Sequence, residues 1–182
     1  RHSRLLARGL KVSSIKRIVG SLQAIMSFAA REHGLPEPRA FSKLHLPKPR
    51  DTDDDRRPLP IDTIQAVQQL CYSLDDEARW LIALISDSGL RLSEAAGLVR
   101  DDVVLDKDCP HLLVRPHAWR RLKTSSSERA VPLVGASLWA VQRALQASPC
   151  EFLFPRYCSK DGCNANSAGG ALNKWLRPRV PK

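Results

Sequence analysis

The chain has 182 residues, 43% of them hydrophobic and 26% charged, with a formal net charge of +10. Such a length and apolar share can bury a core in one or two domains, which excludes a disordered chain and a small scaffold that needs staples. The most apolar stretch, residues 78–86, is about half a bilayer span and contains Arg79, and the basic N-terminal end lacks an unbroken apolar run with a cleavage site, so no membrane span and no secretory signal are expected and a cytoplasmic place is.

From Ser13 to Glu32 the residues Ile15, Ile18, Val19, Leu22, Ile25, Met26 and Ala29 recur every three or four positions, which predicts one long amphipathic helix. Ser13 or Ser14 is expected to cap it, and Gly34 to stop it. The charge is concentrated here: residues 1–50 hold eleven Lys or Arg against Glu32 and Glu37, a net of +9 that leaves +1 for the rest. A field gathered at one end attracts polyanions and gains from counterion release on DNA or RNA. Six prolines between Leu35 and Pro60, with Asp51, Asp53, Asp54 and Asp55, read as a linker, so the domain boundary is expected within residues 47–58. Residues 1–50 are then expected to form a helical module, with linker to about 58, and residues 59–182 a second domain.

Past Pro60, residues Ile61, Ile64, Val67, Leu70, Cys71 and Leu74 keep helical spacing. A second helix from about Glu77 to Asp87 is apolar on most sides and therefore central, and a short third runs from near Arg91 to Gly97. The texture then changes to short apolar runs, at residues 103–105, 111–115 and 129–133, which predict a three-stranded antiparallel sheet. Helix returns at Ala136–Ala147 and again from near Asn166. The fold class expected is mainly α with a small antiparallel β-sheet (α+β).

Five cysteines make an odd number without a repeated Cys-x-x-Cys spacing. Cys150, Cys158 and Cys163 could meet a histidine such as His117 at a zinc ion only by an accident of folding, so reduced structural thiols are expected, with no metal and no cofactor.

Arg91 follows Gly89-Leu90 at the start of a helix whose other members are Leu92, Ala95 and Ala96, and it has to emerge from a buried neighbourhood. Glu94, three residues on, shares its face and can orient or neutralise it. Such an arginine offers a rigid, always-charged fork to two oxygens of a phosphodiester; the plainer alternative is a capping or core ion pair with Glu94.

The segment Leu90-Arg91-Leu92-Ser93-Glu94 with Leu98 and Asp101-Asp102-Val103, then Lys123-Thr124 before Arg129-Ala130-Val131-Pro132-Leu133, and then Phe152-Leu153-Phe154-Pro155, resembles the tyrosine recombinase, or phage integrase, family in order and spacing. Ser14 to Leu35 is similar to the last long helix of that family's core-binding domain, and Arg57-Pro58-Leu59-Pro60 to the start of its catalytic domain. The resemblance implies an integrase-like catalytic domain in which Arg91 binds the scissile phosphate, Lys123 protonates the departing 5′ oxygen, and Glu94 supports. It implies a tyrosine nucleophile forming a 3′-phosphotyrosyl link without metal or ATP. Tyr72 and Tyr157 do not stand in that tyrosine's setting, and the family's His-x-x-Arg box and late Tyr would fall beyond Lys182, so residues 1–182 alone are expected to be a truncated catalytic domain that does not cleave. The N-terminal module likewise looks shorter than the family's.

Duplex DNA is the expected partner, with Lys11, Lys16, Arg17 and Arg31 on the basic module and Arg115, Arg120 and Arg121 beside the hairpin as phosphate contacts. Full-length members act as tetramers on paired sites, whereas this stretch is expected to be monomeric. A type IB topoisomerase fits the linker and arginine box less well. The competing classes are a non-catalytic DNA-binding remnant or regulator and a helical protein-interaction module.

Overall fold

The computed structural model describes residues 6–36, 58–122, 124 and 127–180. The chain divides into two compact units, Arg1–Arg57 and Pro58–Lys182. Most of the proline- and aspartate-rich stretch lies outside the described residues, as does Lys123.

In the first unit, helix α1 spans Val12–Glu32. Neither Ser13 nor Ser14 caps it: both lie inside the helix, and Lys11, extended at φ −65°, occupies the cap position, its side chain making no capping hydrogen bond to the first turn. The far end stops as expected. Gly34 takes φ +60°, the Gly34 N–H donates to Arg31 O, and the Leu35 N–H donates to Ala30 O at 2.8 Å, which returns two orphan carbonyls to partners. Ile15 and Ala30 are buried, while Ile18, Leu22, Ile25, Met26 and Phe28 are exposed.

The second unit opens with α2 (Ile61–Leu74) and α3 (Glu77–Ser88). Asp75 ends α2 in the left-handed conformation, φ +45°, and its carboxylate accepts from Trp80 Nε1 at 2.7 Å and from Arg143 Nη2 at 2.6 Å. Asp76 then caps α3 by accepting the Arg79 N–H at 3.0 Å. Six consecutive-turn residues of α3, among them Leu81, Ala83 and Leu84, are buried, so this helix is the axle of the unit, as its all-round apolarity predicts. Burying each such leucine contributes about 2 kcal/mol.

Gly89, at φ +63°, stops α3, and α4 (Leu92–Ala96) follows at once. A 3₁₀ turn at Arg100–Asp102 leads into β1 (Val103–Val104), β2 (His111–Val114) and β3 (Arg129–Pro132), an antiparallel sheet in the order β1-β2-β3. Leu112 faces both Val103 and Val131, and the period of two that buries Leu112 and Val114 sends the sheet's apolar side to the core. Helix α5 (Gly135–Ala147) packs along α3, its N-terminus held by the Ala136 N–H donating to Asp87 Oδ2 at 2.7 Å. A hairpin not anticipated from the sequence, β4 (Cys158–Ser159) with β5 (Gly162–Cys163), precedes α6 (Ala165–Leu176), which Asn164 caps through the Ser167 N–H. The observed class is mainly α with a small antiparallel sheet.

Among the described residues, no helix is long and apolar enough to cross a membrane.

Candidate active site

The turn from α3 to α4 decides where Arg91 points. Leu90 is buried, Gly89 absorbs the left-handed backbone, and Arg91 stands extended at the cap of α4 with its side chain half exposed. Beneath it lies Glu94, 2% exposed. Glu94 Oε2 accepts the Arg91 backbone N–H at 3.0 Å, and Oε1 lies 2.7 Å from Arg91 Nη1. The same carboxylate takes Arg129 Nη2 at 3.0 Å, and Arg129 Nη1 donates to Ser127 O at 2.8 Å. Ser127 Oγ accepts from Arg91 Nη1 at 3.3 Å and lies 2.9 Å from Thr124 Oγ1.

Gly89, Arg91, Thr124, Ser127 and Arg129 together line a hollow of about 350 Å³. Two guanidinium groups meet one carboxylate there, so the hollow keeps a surplus positive charge. Burial alone would raise the Glu94 carboxyl, but hydrogen bonds from Arg129 and Arg91 outweigh it and hold the group below its usual range. The pair is thereby fixed as an anionic strut under two cationic forks, an arrangement able to bind an oxyanion such as a phosphate. A second, larger hollow of about 520 Å³, lined by residues including Leu59, Val67, Ile82 and Leu172, is apolar and contains none of the candidate site residues, so the chemistry argues for the smaller one.

Arg129 is the member that sequence reading missed. Its signal was present: on β3 it shares the inward face with buried Val131, and a charge pointing inward on a strand calls for a partner. Lys123 belongs to the undescribed residues between β2 and β3.

The basic residues expected to touch DNA separate into groups. Lys11, Lys16, Arg17 and Arg31 are exposed on the first unit, and Arg121 is exposed on the second. Arg115 is part-buried, donating from Nε to Asp102 Oδ1 at 2.8 Å and from Nη2 to Asp101 O at 3.0 Å. Arg120 corrects the expectation. It is 3% exposed, its Nη2 donates to Arg115 O at 2.6 Å, its Nη1 to Glu94 O, and Asp102 Oδ2 lies 3.7 Å away. A guanidinium spent on buried carbonyls is an internal brace, not a surface contact for phosphate. The fully buried Asp102 organises this brace, because His117 Nε2 also approaches its two oxygens at 3.0 and 2.9 Å, and the His117 ring stacks on Trp119 at 4.5 Å. His117 is therefore engaged by a carboxylate and not by the cysteines, and among the described residues no group of three or more His, Cys, Asp or Glu side chains is placed to hold a metal.

Neither tyrosine lies in the hollow. Tyr157 is buried with its hydroxyl unpartnered, and Tyr72 packs edge-on against Trp139 at 4.6 Å. Burial pushes both phenols above their usual range.

No family model matches the sequence, and no curated protein matches it. The architecture does match solved structures. The integrase of the transposon Tn1549 (residues 82–397), solved in complex with circular intermediate DNA, aligns with a TM-score of 0.62 at 19% identity, over 98% of this chain and 62% of that one. The same integrase with transposon right end DNA aligns at 0.62 and 22% identity, over 96% and 61%. XerA recombinase aligns at 0.50 and 15% identity, over 93% and 61%. The chain shares the fold of these integrase and recombinase structures and spans about three fifths of the length of the chains it matches.

Proposed function

We propose that this chain is a DNA-binding portion of a site-specific tyrosine recombinase, with Arg91 receiving the scissile phosphate. The observation that supports this reading most directly is the hollow beside α4, in which a half-exposed Arg91 is held in place by the buried Glu94 while Arg129 braces the other side of that carboxylate. With about half its side chain exposed, the paired Arg91 guanidinium remains accessible to a phosphate from the hollow. Lys123, which the family resemblance picks out and which immediately precedes Thr124 in the sequence, is the proposed general acid for the leaving 5′ oxygen. Lys11, Lys16, Arg17, Arg31, Arg115 and Arg121 are proposed as phosphate-facing positions that set register on the duplex. In the full-length enzyme a tyrosine would attack the phosphodiester and conserve its bond energy as a 3′-phosphotyrosyl link. The enzyme would then assemble as a tetramer on DNA in the cytoplasm. Residues 1–182 by themselves are proposed to bind DNA as a monomer and not to cleave it.

The test is binding of a labelled duplex across a salt series, followed by denaturing electrophoresis of the complex. The reading expects log Kd to rise linearly with log salt and Arg91→Ala to weaken binding and reduce the slope by about one. Absence of salt-dependent binding would overturn it in favour of a protein-interaction module. A covalent adduct surviving denaturation would overturn the claim that residues 1–182 do not cleave.

A second reading, a DNA-binding protein without catalysis, is favoured by the sequestered state of Tyr72 and Tyr157. Restoring cleavage by adding a longer version of the chain would count against it.

A further inference from the structure

The short hairpin before α6 sets two thiols opposite each other. Cys158 on β4 is the register partner of Cys163 on β5, and Ser159 of Gly162. One step outward, the Asn164 N–H donates to Tyr157 O at 2.7 Å, which makes residues 157 and 164 a hydrogen-bonded pair. Pairs alternate along an antiparallel ladder, so Cys158 and Cys163 form the non-hydrogen-bonded kind, in which opposed Cα atoms stand about 4.5 Å apart and side chains come closest. That spacing falls within the span a disulfide bridges, about 4.4–6.8 Å between Cα atoms.

The surroundings differ on the two sides. Cys158 is buried against Val99 and Phe152, whereas Cys163 is half-buried and open to a small reagent. Both are free thiols, and Cys158 Sγ also lies 4.0 Å from Ser159 O. Buried Arg120, whose Nε has no hydrogen-bond partner, is the cation that acts on both sulfurs. The hydrogen bond from Cys158 lowers the Cys163 thiol to about 7, against burial, and Arg120 adds to the lowering; the same hydrogen bond and burial push Cys158 upward.

We propose that Cys158 and Cys163 are a reactive dithiol, closed into a cross-strand disulfide by low-molecular-weight disulfides of the oxidised glutathione class. Cys163 as thiolate attacks one sulfur of the small disulfide, that S–S bond breaks, and the first glutathione leaves as thiolate to collect a proton. Cys158 then attacks the Cys163 sulfur of the mixed disulfide, its proton passing to the second departing glutathione. Two protein thiols are oxidised to one disulfide, and one glutathione disulfide is reduced to two thiols. The closed bond tethers the hairpin at the foot of α6 and removes from Arg120 the sulfur charge it faced, while Arg120 still holds Glu94 O in α4.

The experiment treats the reduced whole chain with oxidised glutathione near neutral pH and follows its tryptic peptides by mass spectrometry, since cleavage after Lys160 separates the two cysteines unless they are linked. The expected result is a Cys158–Cys163 link that forms several-fold faster than glutathione adducts at exposed Cys109 and Cys150 and that dithiothreitol reverses. In Cys158→Ser, Cys163 should accumulate as a stable glutathione mixed disulfide. In Cys163→Ser, buried Cys158 should remain unmodified. A wild-type chain whose Cys109 and Cys150 react first while residues 158 and 163 stay unlinked would overturn the proposal. So would a Cys158→Ser chain in which Cys163 reacts no faster than Cys109.

Discussion

Glu94 holds Arg91 at two points, taking its backbone N–H at 3.0 Å through Oε2 and facing its Nη1 at 2.7 Å through Oε1. Position and direction of the guanidinium are thus set by one side chain that is itself immobilised by Arg129. Replacing Glu94 by Gln keeps the volume and removes the charge that both arginines need. The expected loss is about 1–3 kcal/mol in chemical denaturation. Folded Glu94 sits below its unfolded value of 4.5, so its contribution is complete above that pH and is lost as pH falls through the folded pKa. Stability curves of wild type and Glu94→Gln should therefore converge on acidification below about pH 4.5 and stay parallel above it.

Asp102 and Asp101 are neighbours with opposite roles. Asp102 is fully buried and meets Arg115, His117 and Arg120, whereas Asp101 is exposed and contributes its backbone carbonyl. Asp102→Asn should cost about 3 kcal/mol because it strands buried partners, and Asp101→Ala less than about 0.5 kcal/mol. Equal urea midpoints for the two variants would refute the brace.

The adjacent arginines 120 and 121 give a matching contrast in DNA binding. Arg121→Ala should lower the salt slope of binding while leaving the urea midpoint unchanged. Arg120→Ala should lower the urea midpoint by an amount equivalent to about 3 kcal/mol, since the Glu94 and Arg115 carbonyls lose their donor and buried Asp102 a neighbouring cation.

Gly97 is small because of Arg120. A Cβ at Gly97 would lie 2.6 Å from Arg120 Cδ and 3.2 Å from its Cβ, and that side chain is pinned at its far end by two carbonyls. Gly97→Ala is expected to destabilise by about 1–3 kcal/mol, read as a lowered Tm.

Burial raises the Cys71 thiol to about 11 despite the opposing charge of Arg79. Iodoacetamide near neutral pH should leave Cys71 unlabelled in the folded chain and label it in urea, where a thiol of ordinary pKa about 8.5 is exposed. Labelling of Cys71 at the rate of Cys109 in the folded chain would contradict this burial.

Much of the architecture was written locally. The period of the apolar residues announced α1, α2 and α3, since a helix must bury one face or all of them whatever lies around it, and the short apolar runs announced three strands for the same reason at period two. Local signals failed where two chemistries compete for one position. Ser13 and Ser14 are good caps by type, yet α1 begins one residue before them. The hairpin at 158–163 was invisible because its strands, Cys158–Ser159 and Gly162–Cys163, carry no run of β-branched or large apolar residues like the one that marks Val103–Val104.

The sequence by itself determined that Arg91 would stand at a helix start with Glu94 one turn away on the same face, because a spacing of three within a helix is enough to bring them together. Only the tertiary structure decided that Arg129, thirty-five positions further on, would complete the carboxylate's partners, that Arg120 would be buried while Arg121 stayed in solvent, and that Cys158 and Cys163 would face each other. These pairings depend on how the sheet and the hairpin fold back onto α3 and α4. Contacts between distant segments are settled by the packing of the whole core; local spacing can show that an inward charge such as Arg129 needs a partner, but not which residue supplies it.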